Sequence, residues 1–63
     1  MIQERYAVMF PGDQGAAPRW AGNGWGNHVT FYYAKLFMKR ALAEKRAKRE
    51  GGIVVTVSLS YRA

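Results

Sequence analysis

Seven of the chain's ten basic residues crowd into one sixteen-residue stretch, where Lys35, Lys39, Arg40, Lys45, Arg46, Lys48 and Arg49 face only Glu44 and Glu50. Seven minus two leaves a local charge of +5, against +6 for the whole chain. The chemistry open to such a row is non-covalent. It can neutralise phosphates and release their counterions, or meet the carboxylates of an acidic protein surface. A plain solvated face, with the long stems lying on apolar surface, needs no partner at all. An anionic membrane fits poorly, because the apolar residues of this segment are rich in alanine and are needed for the core.

A second group lies in the glycine-rich middle of the chain, at Arg19-Trp20 and Gly24-Trp25-Gly26. Tryptophan is typical of interface hot spots, and a flexible frame lets the ring project. With nucleic acid the rings would stack on unpaired bases and Arg19 would hold a phosphate. The competing reading folds one ring down as a lid on a thin core and leaves the other exposed. The expected partner-binding set is Arg19, Trp20, Trp25, Lys39, Arg40, Lys45, Arg46, Lys48 and Arg49.

Little else is equipped to make or break bonds. The string Gly22-Asn23-Gly24-Trp25-Gly26-Asn27 is neither GxGxxG nor a P-loop, and no βαβ unit fits around it. His28 is the only histidine, with no cysteine or sequence-adjacent carboxylate to complete a metal site, and is expected exposed at a helix start. Glu4, Asp13, Glu44 and Glu50 are scattered and suggest no acid/base pair. Ser58 and Ser60 share a strand face without an activating base. Tyr32 and Tyr33 beside Phe31 invite comparison with an RNA-recognition sheet, but that family's Gly-Phe pattern is missing, and core packing is the simpler role. No catalytic residue, metal or cofactor is expected.

These residues have to be positioned by very few elements. Sixty-three residues make one domain, 1–63, since a chain this short buries only about 60% of its unfolded surface. Designed chains of this size draw only about 3 to 5 kcal/mol from their cores, so a partner or a second copy would help. The lack of cysteine removes disulfides and thiolate zinc sites. The polar start, Met1-Ile2-Gln3-Glu4-Arg5, reads as no signal peptide, and the longest apolar run is too short to span a bilayer. A cytoplasmic location is expected.

Alternation of Tyr6, Val8 and Phe10 with Arg5, Ala7 and Met9 predicts a strand over 5–10, stopped by Pro11-Gly12. A loop follows over 11–27, holding five of the seven glycines, both prolines and both tryptophans, with room for a short strand near Ala17 to Trp20. Loops this long are more often functional than not. Asn27 can cap a helix over about 29–50. Its stripe would be Ala34, Phe37, Met38, Ala41 and Leu42, with the cations opposite and Gly51-Gly52 as a left-handed stop. The β-branched and aromatic run Val29 to Tyr33 suits a strand equally well, which leaves a helix start near 38 open. Over 53–62, Ile53, Val55, Val57, Leu59 and Tyr61 alternate with Val54, Thr56, Ser58, Ser60 and Arg62, predicting a final strand with its apolar face on the core. The expected fold is α+β, one amphipathic helix on a two- or three-stranded antiparallel sheet in ββαβ or βαβ order.

The succession of Tyr6-Ala7-Val8, Trp25, Ala34-Lys35-Leu36-Phe37, a Lys- and Ala-rich helix and Val54-Val55-Thr56-Val57-Ser58-Leu59 resembles very short tailed-phage early-region proteins. The resemblance covers most of the length. It implies a compact ββαβ body, an extended Ala34 to Phe37 with the helix beginning near Met38, and a role in binding and modulating a host protein such as a polymerase or defence complex. Location in the host cytoplasm would follow. The chain departs from that pattern in its insertion from Pro11 to Gly24 and in its positive charge, which argues against acidic mimicry of DNA. The function expected is therefore a non-enzymatic protein that docks on an acidic surface of a host macromolecule and modulates or inhibits it. The alternative is a nucleic-acid-binding accessory protein, and a homo-oligomer is a third reading.

Overall fold

Strand β1 (Ile2–Phe10) is the spine of the sheet. On one side it pairs antiparallel with the last strand, from Ile2↔Ser60 to Met9↔Ile53. On the other it meets β2 (Arg19–Ala21) through Met9↔Trp20 and Phe10↔Arg19, and β2 pairs with the two-residue β3 (His28–Val29). With β4 (Ile53–Ser60) the strand order is β3-β2-β1-β4. One helix, α1 (Arg40–Glu50), packs on this four-stranded sheet, an α+β arrangement. The computed structural model describes residues 2–24 and 28–60. The readings of Trp25 as an anchor and Asn27 as a helix cap lie outside the described residues, as do Tyr61 and Arg62 of the last predicted strand.

The helix is much shorter than the predicted 29–50 and begins at Arg40, close to the alternative start near 38. Val29 is in β3, Phe31–Tyr33 form a 3-10 turn, and the chain then runs extended. Phe37 exchanges both backbone hydrogen bonds with Tyr6, its N–H donating at 2.7 Å and its carbonyl accepting at 2.9 Å. Lys35 N–H donates to the Ala21 carbonyl at 2.9 Å. Residues 34–37 thus occupy the stretch of β1 that β2 is too short to cover. Lys39 is still extended, with φ −114 and ψ 133, and the helix starts only after it.

This late start rotates the helix relative to the predicted stripe. Ala43, Arg46 and Ala47 are buried, whereas Met38, Ala41 and Leu42 are exposed. A 3.6-residue period counted from Ala34 through an extended segment has no meaning, and the true phase begins at Arg40. The core is correspondingly thin: Val8, Ala21, Phe37, Ala43 and Ala47, flanked by Tyr6, Phe10 and Val54. Phe31, Tyr32 and Tyr33 were expected in the core, yet all three are exposed on the 3-10 turn.

The predicted left-handed stop is present. Gly51 has φ 80, and the N–H groups of Gly51 and Gly52 both donate to the Ala47 carbonyl, at 2.7 and 2.9 Å. This satisfies a carbonyl that the helix end would orphan. Gly52 is required for a different reason: a Cβ there would sit 2.5 Å from Val8 Cγ1 and 2.9 Å from Phe10 Cε1.

The register also decides which face of the sheet receives the helix. Directly paired residues share a face, so Tyr6, Val8 and Phe10 lie with Thr56 and Val54 toward α1, and Ala21 joins them. Ile53, Val55, Val57 and Leu59 pair with Met9, Ala7, Arg5 and Gln3 on the opposite face. The apolar face of β4 was expected to be the core face, but it looks away from the helix. The two neighbouring strands carry their apolar residues on opposite sides, and the single helix covers only one.

Candidate interaction surfaces

Helix α1 divides its cations between two jobs. At 100° per residue, Lys45, Lys48 and Arg49 fall on the side away from Ala43 and Ala47, and all three are exposed, with Lys39 and Arg40 exposed at the N-terminal end. Arg40 Nε donates to Glu44 Oε1 at 2.9 Å across one exposed turn. Five exposed cations less Glu44 leave +4 over the exposed surface of the helix and the residue before it. Lys48 and Arg49 also occupy the last turn, where positive charge complements the helix dipole.

Arg46 does not belong to that surface. Its side chain is 7% exposed and lies under the helix. Its Nε is ion-paired with Glu50, and its Nη2 donates to the Gly24 carbonyl at 2.6 Å. Glu50 in turn is 3.3 Å from His28 Nε2, and the His28 ring stacks on Phe10 with centroids 3.9 Å apart and planes 20° apart. His28 is therefore a strand residue, not the start of a helix, with a carboxylate neighbour 22 positions away. This chain of contacts ties the C-terminal half of α1 to β3 and to the turn at Gly24. A planar guanidinium suits it, because it can donate in two directions at once. Arg46 is a structural cation rather than a docking one.

Two clefts flank these elements. The first, about 410 Å³, is lined by Gly24, Lys35, Phe37, Leu42, Lys45 and Arg46. Phe37 forms its buried floor, Leu42 is 53% exposed beside it, and the exposed Lys35 and Lys45 bring two ammonium groups to it. Lys35 Nζ lies 5.5 Å from the centre of the Phe37 ring. Apolar contact and positive charge meet here, which suits a carboxylate next to an aliphatic or aromatic group. The sequence reading missed Lys35 and Leu42 as site residues. The signal for Leu42 was the helix start itself, since a start near 40 turns that residue outward.

The second cleft, about 530 Å³, is lined by Ala16, Ala17, Pro18, Arg19, Trp20, Thr30 and Phe31. Trp20 is half-buried and meets Phe31 edge-on, with centroids 4.8 Å apart and planes at 71°. Trp20 does not form the expected lid on the core, since its ring meets the exposed Phe31 on the face away from the helix-side core. By register Trp20 pairs with Met9, on the face away from α1, while Arg19 pairs with Phe10 on the other. Trp20 and the outer cations of α1 consequently lie on opposite sides of the sheet, and one flat partner cannot touch both. Tyr32 and Tyr33, in edge-to-face contact at 5.0 Å, extend the aromatic group near Phe31 and were not expected as surface residues.

Among the described residues no three His, Cys, Asp or Glu side chains come together, and no helix is long and apolar enough to cross a membrane. No protein-family model, curated protein or solved structure matches the chain.

Proposed function

We propose that the protein is a non-enzymatic docking module that holds an acidic protein surface against the outer side of α1 and the cleft beside it. Lys39, Arg40, Lys45, Lys48 and Arg49 steer the encounter. An apolar side chain flanked by carboxylates enters between Lys35 and Lys45 onto Phe37 and Leu42. The observation that carries this reading is the mixed lining of that cleft. Cations alone would serve any polyanion, whereas an exposed leucine over a phenylalanine floor adds a contact that a phosphate backbone does not use. Modulation or inhibition of a host macromolecule, inside the host cytoplasm, follows from the resemblance to tailed-phage early-region proteins and stands or falls with the partner's identity.

Binding of nucleic acid by the same exposed cations is the second reading, favoured by the +4 that the exposed residues of the helix and Lys39 sum to. Partner capture from a lysate split into nuclease-treated and untreated halves separates the two. Docking on protein predicts one stoichiometric protein in both halves, lost when Lys45→Glu and Lys48→Glu are combined. Retention on DNA or RNA instead, with log affinity falling by about 0.9 per phosphate contact for each unit of log salt, and no protein in the nuclease-treated half, would replace the first reading by the second.

A further inference from the structure

On the sheet face opposite α1 the described residues bring only the 3-10 turn, whose Phe31 meets Trp20 at one end. Met9, Trp20, Ile53, Val55, Val57 and Leu59 share that face with the small, fully buried Ala7; none of the six larger residues is buried, and Ile53 is 51% exposed. Arg5 is the one charged residue that the register places there, and its guanidinium is engaged within the chain, donating to the Glu4 carbonyl at 2.8 Å and to Gln3 Oε1 at 3.1 Å. An antiparallel sheet with a single covering layer normally turns its polar face to water. This one turns β4's apolar face outward and gives Thr56, Ser58 and Val54 to the helix side.

We infer that this face is the contact between two copies of the chain, packed sheet against sheet about a two-fold axis to form a β-sandwich with a helix on each outer side. Three observations select a second copy as the occupant. The chain exposes 4880 Å², roughly 800 Å² more than the ~4,100 Å² of a compact monomer of its mass, and a standard interface takes about 800 Å² from each partner. Its radius of gyration is 12.0 Å, where a compact chain of this length would have about 10.6 Å. Both figures describe a chain that leaves more surface uncovered than a compact monomer of its size, and the apolar sheet face is part of that surface.

Charge points the same way. A polyanionic or acidic partner would find almost no cation on this face to answer it. Two copies, although each carries +6, place their cationic helices on the far sides of slabs 17 Å through at their thinnest. That separation exceeds two Debye lengths of about 8 Å each at physiological salt. An isologous contact is also the commonest closed arrangement and leaves the helix and its cleft free.

Sedimentation or light scattering at micromolar concentration tests this directly. The expected mass is 14.2 kDa, twice 7.1 kDa, falling to 7.1 kDa in Val57→Lys and unchanged in Lys45→Glu. Should Val57→Lys fail to fold, the cysteine-free background supplies a second measurement. A short bismaleimide should join Val57→Cys into a covalent dimer and leave Thr56→Cys, on the helix side, as monomer. A wild-type monomer under these conditions, dissociation by Lys45→Glu, or cross-linking of Thr56→Cys in place of Val57→Cys would each overturn the inference.

Discussion

Arg46→Ala is the substitution on which the structure and a plain reading of charge disagree most. If Arg46 were one more solvated cation of a docking face, its loss would change stability by less than about 0.5 kcal/mol. In the structure its side chain is 7% exposed and Glu50 is 11% exposed. Removing one partner of a buried pair costs about 3 to 5 kcal/mol, chiefly by stranding the other charge. Glu50 would retain His28 at 3.3 Å, which places the loss near the lower end, while the Gly24 carbonyl would lose its 2.6 Å donor. A loss of about 3 kcal/mol is comparable with everything a core of this size supplies. The variant should therefore sit near its unfolding midpoint without denaturant.

Urea unfolding followed by far-UV circular dichroism, at one fixed protein concentration, gives the number. Arg46→Lys keeps the charge but loses the planar fork, and should fall between wild type and alanine, at about 1 to 2 kcal/mol. The paired replacement Arg46→Met with Glu50→Leu removes both charges together and should recover to within about 1 kcal/mol of wild type or exceed it. Wild-type stability for Arg46→Ala alone would refute the inward placement of Arg46, and with it the helix phase that begins at Arg40.

Further outcomes follow from the same geometry. Arg40→Ala has the same i, i+4 relation to a glutamate, but its side chain is 60% exposed, so urea unfolding should shift by no more than about 0.5 kcal/mol. Gly52→Ala drives a Cβ onto Val8 and Phe10 and should lower stability by about 1 to 3 kcal/mol; an unchanged midpoint would show that β4 enters the sheet differently. Lys45→Glu with Lys48→Glu should slow association with the captured partner at low salt, measured by surface plasmon resonance, while leaving the unfolding midpoint within about 0.5 kcal/mol of wild type.

Several local features were legible from residue types alone. Gly51-Gly52 read correctly as a helix stop because the left-handed position after a helix penalises any residue with a Cβ. The alternation in β1 and β4 gave two strands because strand side chains repeat every two residues whatever surrounds them. The α+β class followed. The limits are equally specific. Residues 34–38 look helical beside Ala41 and Leu42, yet the unpaired stretch of β1 at Tyr6 takes Phe37 into the sheet, and a backbone pairing demand is invisible in a one-dimensional pattern. The sheet has four strands where two or three were expected, since a two-residue strand such as His28–Val29 has no periodicity to detect.

The sequence by itself determined that the chain is cationic, where the cations cluster, which residues share a face of each long strand, and where the helix stops. All of these depend on composition or on contacts within a few residues. The tertiary structure decided which face of the sheet the helix covers, which arginine turns inward, and that His28 meets Glu50. Those outcomes depend on strand register and helix phase, and each is set by a single offset, between Val8 and Val54 in the sheet and at Arg40 in the helix, that exchanges inside for outside without altering any pattern along the chain.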